Sequence, residues 1–223
     1  MALAAALELD EIERDALTEL ANIGVSRAAG NLRDMVGHQV LLSVPAVAVM
    51  TRDHAATLLA ERASGGLVAV HQAFAGDFSG RVLLIFPESN SLELVRAVAG
   101  GDLPLEDIVD LEQEALAETG NIVLNGCLAT IANVLQRTLK VSLPEVIRGS
   151  GPDFLELAGA SEEEDVVLFL YIDFSVNERD IRGYIAMLMD LSSLKSMRKV
   201  LQDFIERTIG QIPPVADVVP SDR

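Results

Sequence analysis

Four residues recur at one spacing in two places. Asp15, Glu19, Asn22 and Pro45 are written D-x3-E-x2-N-x22-P, and Glu114, Glu118, Asn121 and Pro144 repeat it as E-x3-E-x2-N-x22-P, each matched pair 99 positions apart. The flanks agree as well: "ALTELANI" stands against "ALAETGNI", and "VLLSVPAV" against "LKVSLPEV". Glu and Asn three positions apart are neighbours on a helix surface. A carboxylate there can pair with a cation on a partner. An amide both donates and accepts, so it can hold a water in a chosen orientation, although it cannot serve as a general base. Attack of water on phosphorus needs mainly positioning and electrostatic stabilisation, and an orienting amide suffices for that.

The helices that carry these residues have a consistent polarity. At ~100° per residue, with Asp15 at zero, Glu19 falls near 40°, Asn22 near 340° and Ser26 near 20°. Leu17, Leu20, Ala21, Gly24, Ala28, Leu32 and Met35 gather on the opposite side and are expected to be buried. The second helix copies the pattern, with Glu114, Glu118, Asn121 and Asn125 in the stripe and Leu116, Gly120, Val123, Cys127, Ile131 and Val134 on the expected buried face. Asn is a poor helix former, yet it stands mid-helix in both copies. Ile12 and Ile23, copied as Leu111 and Ile122, border the stripe. They fit either a docking surface or packing against a neighbouring sheet.

Other chemistries find little support. The chain has no GxxxxGK[ST], HExxH or GxSxG motif, so a phosphate or metal would have to arrive with a partner. His38, His54 and His71 are scattered without metal-ligand spacing. The single cysteine, Cys127, excludes an internal disulfide and aligns with Ala28 on the buried helix face, as an inert core thiol would. A formal charge of −17 argues against nucleic acid and disfavours anionic membranes. No apolar run approaches the ~18 residues of a membrane span, and "MALAAALELD" lacks the basic start of a signal peptide. A cytoplasmic protein is expected, with small molecules or proteins as partners.

An α+β fold must position the motif. A helix is predicted over 10–36, opened by a capping box of Asp10 and Glu13. A strand over 39–51, interrupted or bulged at Pro45, a short helix over 53–62, a hairpin over 66–87 turning at "GDFSG", and a helix over 89–100 follow. The second half repeats the order: a helix over about 107–138, the strand "LKVSLPEVI", a second hairpin and a closing helix, "SLKSMRKVLQDFIERTIG". Each repeat, about 8–100 and 107–209, is therefore roughly α-β-α-β-β-α. The two are expected to share one core in a single domain, 1–210, under pseudo-two-fold symmetry, with long helices on an antiparallel or mixed sheet. "SEEED" (161–165) reads as a solvated loop and 211–223 as a Pro-rich, disordered tail.

The doubled motif resembles the CheC family of bacterial chemotaxis phosphatases, which includes CheX and the CheC-like part of the flagellar switch protein FliY. "FAGDFSGRVLLIFP" also resembles that family's first hairpin. Two motif copies resemble CheC more than CheX, and the absence of a switch domain after residue 210 argues against a full FliY. The resemblance implies an enzyme that hydrolyses the aspartyl phosphate of the CheY receiver domain. Glu19 and Glu118 would dock on the receiver's lysine, and Asn22 and Asn121 would orient the attacking water. Asp15 and Glu114 would be accessory contacts, and Pro45 and Pro144 structural. It further implies no cofactor of the chain's own, Mg²⁺ being supplied by the receiver, and the receptor deamidase CheD as a possible second partner. The internal duplication makes a monomer sufficient. Glu114 departs from the family's usual Asp or Ser, and Ala21 precedes Asn22 where family members often have Gly, as the second copy does at Gly120. The competing expectation is a receiver-binding adaptor or switch component that does not hydrolyse.

Overall fold

Asp10 caps helix α1 (Glu11–Val36): its carboxylate accepts the Glu13 N–H at 2.7 Å, while Glu13 accepts the Asp10 N–H at 3.1 Å. This is the predicted capping box. The Glu13 carboxylate is buried, and it also takes the Arg198 guanidinium on both oxygens, at 3.1 and 2.6 Å, and the Gln202 amide at 2.8 Å. Burial of a charge is tolerable because every lone pair has work. The same bonds tie the start of the first repeat to the end of the second. Helix α1 stops at Gly37, whose φ of 70° lets its N–H close on Arg33 O.

The computed structural model describes residues 8–37, 39–62, 66–99, 105–156, 165–176 and 179–210. After α1 come β1 (Val40–Thr51), α2 (Arg52–Arg62), β2 (Leu67–Ala75), β3 (Gly80–Pro87) and α3 (Glu88–Ala99). The second repeat runs α4 (Leu105–Val134), β4 (Lys140–Val141), β5 (Glu145–Gly149), α5 (Gly151–Glu156), β6 (Asp165–Val176), β7 (Arg179–Asp190) and α6 (Leu191–Gly210). Helix α4 ends four residues before its predicted limit of 138, because Gln136 takes a φ of 55° and the Arg137 N–H turns back to Ala132 O at 2.7 Å. Residues 161–164 and the predicted tail at 211–223 lie outside the described residues.

Among the described residues every strand pairing is antiparallel, so the mixed alternative does not apply. The order is β1-β6-β7-β3-β2, with β4 and β5 both on the outer edge of β2. It reads the same from either end once β1 is matched with β4 and β5, β6 with β2, and β7 with β3. The pseudo-two-fold axis passes between β3 and β7. The first strand of each repeat pairs with the hairpin of the other, β1 on β6 and β5 on β2, so the halves complete one another's sheet.

One sheet face carries the long helices, with Leu17, Leu20, Val25 and Leu32 packed over a core that includes Val68, Val70, Leu84 and Val123. A smaller core on the other face lies under α2 and α5 and joins Leu59 and Phe154 to Ala69, Ile85 and Phe169. Helices α1 and α4 cross closely at glycines: a Cβ on Gly24 would fall 2.8 Å from the Cys127 Cα. Residues Leu111–Val134 of α4 are apolar and long enough to cross a membrane by composition, yet 56% of that stretch's most apolar window is buried inside the fold. Burial pushes the Cys127 thiol up to about 12, which keeps it protonated and inert. Met35 departs from its expected burial. It is 41% exposed, lying past Leu32, the last buried residue described on α1.

Candidate functional site

The first copy of the motif is built around a β-bulge. Strand β1 pairs with β6 up to Ser43↔Asp173 and resumes at Ala46↔Tyr171, so Val44 and Pro45 together oppose Ile172. Pro45 has no N–H to give, and the bulge takes the polar groups of Val44 off the ladder. Asn22 takes them up. The Val44 N–H donates to Asn22 Oδ1 at 2.8 Å, and Asn22 Nδ2 donates to Val44 O at 3.1 Å and to Thr18 O at 3.0 Å. This accounts for the N-x22-P spacing: the amide acts as a neighbouring strand for the residue before the proline. The bulge predicted at Pro45 is present.

The second copy breaks its strand instead. Strand β4 ends at Val141 and β5 begins at Glu145, while Ser142 holds Ala73 through two bonds of 2.9 Å, its N–H to Ala73 O and its Oγ from the Ala73 N–H. Leu143 is thrown outward and is 84% exposed, whereas its counterpart Val44 is 1% exposed. Asn121 is held by side chains: its Oδ1 accepts from Asn125 Nδ2 at 2.7 Å and from Gln72 Nε2 at 3.2 Å. Gln72 Nε2 also donates to Ser142 O at 2.9 Å. A backbone carbonyl only accepts, so the Gln72 group facing Ser142 is the NH₂, and the Asn121 atom facing that NH₂ is the oxygen. Gly120 permits this approach, because a Cβ there would lie 2.5 Å from the Val70 Cβ.

The four carboxylates, Asp15, Glu19, Glu114 and Glu118, are exposed as expected for a solvent-facing stripe, and so is Ser26. The asparagines differ from that expectation. Both are half-buried and turn their amides toward the sheet, because the β1 bulge at Val44 beneath one and the Gln72 side chain of β2 beneath the other offer bonds that solvent would otherwise supply. Ile12 and Leu111, at 56% and 40% exposure, remain open beside the stripe, while Ile23 and Ile122 are half-buried and Ile122 packs on the core. Of the structural prolines, Pro45 is exposed at the bulge and Pro144 is half-buried at the strand break. Gln72 was missed by sequence reasoning. Its signal was a polar residue in an apolar strand, in phase with Val70 and Phe74.

Beside Gln72, His71 faces the other side of the sheet and places Nε2 at 3.4 Å from Glu145. Burial holds its pKa below the ordinary value, against the pull of Glu145. Among the described residues no three His, Cys, Asp or Glu side chains cluster as a metal site.

Two family models match. The CheC-like family covers residues 12–49, which contain the first motif copy. The chemotaxis phosphatase CheX model covers residues 68–169, which contain the second copy and Gln72. A CheC1 protein of Halobacterium salinarum is 26% identical over 183 residues, 81% of this chain and 92% of that relative. The CheY-P phosphatase CheC of Bacillus subtilis is 26% identical over 200 residues, 85% of this chain and 93% of that relative. The crystal structure of Thermotoga maritima FliY superposes with a TM-score of 0.68 at 18% identity, over 88% of this chain and 98% of that one, and shares its fold.

Proposed function

We propose that this chain, which belongs to the CheC-like family of chemotaxis phosphatases, hydrolyses the aspartyl phosphate of a CheY-like receiver domain. One observation carries the reading. In each of two copies an exposed Glu lies one helical turn from an Asn whose amide is held in one orientation by hydrogen bonds. The relatives named as CheY-P phosphatases supply the substrate class.

Glu19 and Glu118 would pair with a lysine of the receiver and seat the helix against its phosphorylated aspartate. Asp15 and Glu114, one turn earlier, would add polar contacts. The asparagines would then address the attacking water. The water oxygen bonds to phosphorus, and the bond from phosphorus to the aspartyl oxygen breaks with its electron pair left on the carboxylate. Inorganic phosphate departs carrying the water's oxygen. Mg²⁺ would come with the receiver as part of the substrate complex and would supply charge neutralisation for the phosphoryl group. Asn22 retains one acceptor lone pair on Oδ1 beside its bond from Val44, and this can take a hydrogen of the water. Asn121 has both Oδ1 lone pairs occupied and offers its Nδ2 hydrogens instead, to the water or a phosphoryl oxygen.

The direct test is the lifetime of the phosphate on Mg²⁺-loaded, phosphorylated CheY-type receivers, with and without the protein. Accelerated decay supports the phosphatase. A second reading, an adaptor that binds without hydrolysing, draws on the structural use of Asn22, whose donors are both spent on backbone. Binding with an unchanged lifetime would establish it. Binding to CheD is a separate proposal, tested by co-purification of the two proteins.

A further inference from the structure

We infer that Gln72 is a positioning residue for Asn121, fixing which end of that amide faces a docked receiver; this rests on the phosphatase reading above. Gln72 is 1% exposed and shares its sheet face with the buried Val70 and Phe74. Among the described residues its Oε1 meets no hydrogen-bond donor. A buried amide with an unmet acceptor is costly at a strand position that an aliphatic residue would fill without penalty. The other repeat places one there. Ile172 opposes the Val44–Pro45 bulge as Gln72 opposes the Ser142–Pro144 break, and it too is buried on the helix-facing side. Where the strand carries Ile172, Asn22 clasps backbone; where it carries Gln72, Asn121 is held by a side chain.

The consequence is directional. An Asn amide can turn over with little change of shape, but turning Asn121 over would set its NH₂ against two donors, Gln72 Nε2 and Asn125 Nδ2. Gln72 cannot relent, because Ser142 O fixes its own orientation. The Asn121 oxygen therefore stays inward and its N–H groups stay outward. Gly120 brings the helix close enough for this bond by leaving room for Val70.

The test separates the two copies. Asn22→Ala leaves only the second, and Gln72→Ile or Gln72→Met is added to it. Ile reproduces the other repeat, and Met keeps the length of Gln without its donor. The expected result is a fall in kcat on the order of 10-fold, KM for the phosphorylated receiver held within about twofold, and an unchanged or higher Tm. With Asn121 already replaced by Ala, the same substitutions have nothing to act through, and the fall in kcat disappears. Unchanged kcat in both variants would overturn the inference. So would a rise in KM alone, or unfolding of both variants, or an Asn22→Ala protein with no activity to lose. The phosphatase reading fails separately, if the wild-type protein leaves the lifetime of the receiver phosphate unchanged.

Discussion

Asn22 grips the backbone of Val44 from both sides, taking its N–H at 2.8 Å and giving to its carbonyl at 3.1 Å. The residue proposed to handle water is thus also a splice in the sheet. Asn22→Ala leaves both Val44 groups without a partner beneath a helix, which should cost about 2–4 kcal/mol. Asn121→Ala strips no backbone group and should cost about 1 kcal/mol or less. Urea denaturation of the two single variants checks the order. Equal losses would mean the Asn22 clasp contributes little.

Gly120 should be intolerant of a side chain. A Cβ there meets Val70 at 2.5 Å, so Gly120→Ala must lift α4 from β2 and should cost about 1–3 kcal/mol. Val70→Ala would make room, so the double variant should recover part of that loss. Additive destabilisation in this cycle would contradict the contact. The first repeat carries Ala21 at this place and buries its methyl group at 1% exposure.

Leu143 should act on binding without acting on stability. At 84% exposure it loses no burial when replaced, so Leu143→Ser should leave Tm unchanged. If a docked receiver covers it, the affinity of the second copy should fall about 5-fold. Titration of a beryllofluoride-activated receiver into the Asn22→Ala protein, with and without Leu143→Ser, measures this. An unaltered affinity would place Leu143 outside the docking surface.

His71 should give the fold a pH dependence whose sign follows from its burial. It is 6% exposed, and its pKa lies below the ordinary 6.5, first through burial and also through Arg81, with Glu145 opposing. The folded protein therefore takes up this proton less readily than the unfolded chain. The stabilisation is present above the unfolded value and is lost as pH falls through the folded one. Thermal melts from about pH 7 to about pH 5 should show a decline in Tm that His71→Leu reduces. Parallel curves for the two proteins would assign the decline elsewhere.

Much of this was legible in the chain because it is local. The capping box at Asp10 and Glu13, the helix and strand order, the duplication and the irregularity at Pro45 all follow from patterns a few residues long. The exchange of strands was not, because β1 finds β6 across more than 100 intervening residues and nothing local names that partner. The helix wheel located Asn22 and Asn121 at the edge of a polar stripe. It could not foresee that Val44 backbone lay beneath one and Gln72 beneath the other. The polar residue within "LVAVHQAF" marked the second of these, but its meaning depends on the register that sets β2 against the strand break.

Whether the two asparagines carry the chemistry is decided by the rate of phosphate loss from an Mg²⁺-loaded, phosphorylated CheY-type receiver in the presence of wild type, Asn22→Ala, Asn121→Ala and the double variant. Wild type should accelerate the loss, each single variant should retain part of that acceleration, and a folded double variant should show none. Losing an orienting amide should cost on the order of 10²-fold at its own site. A double variant that is folded and hydrolyses at the wild-type rate would contradict that role for the asparagines.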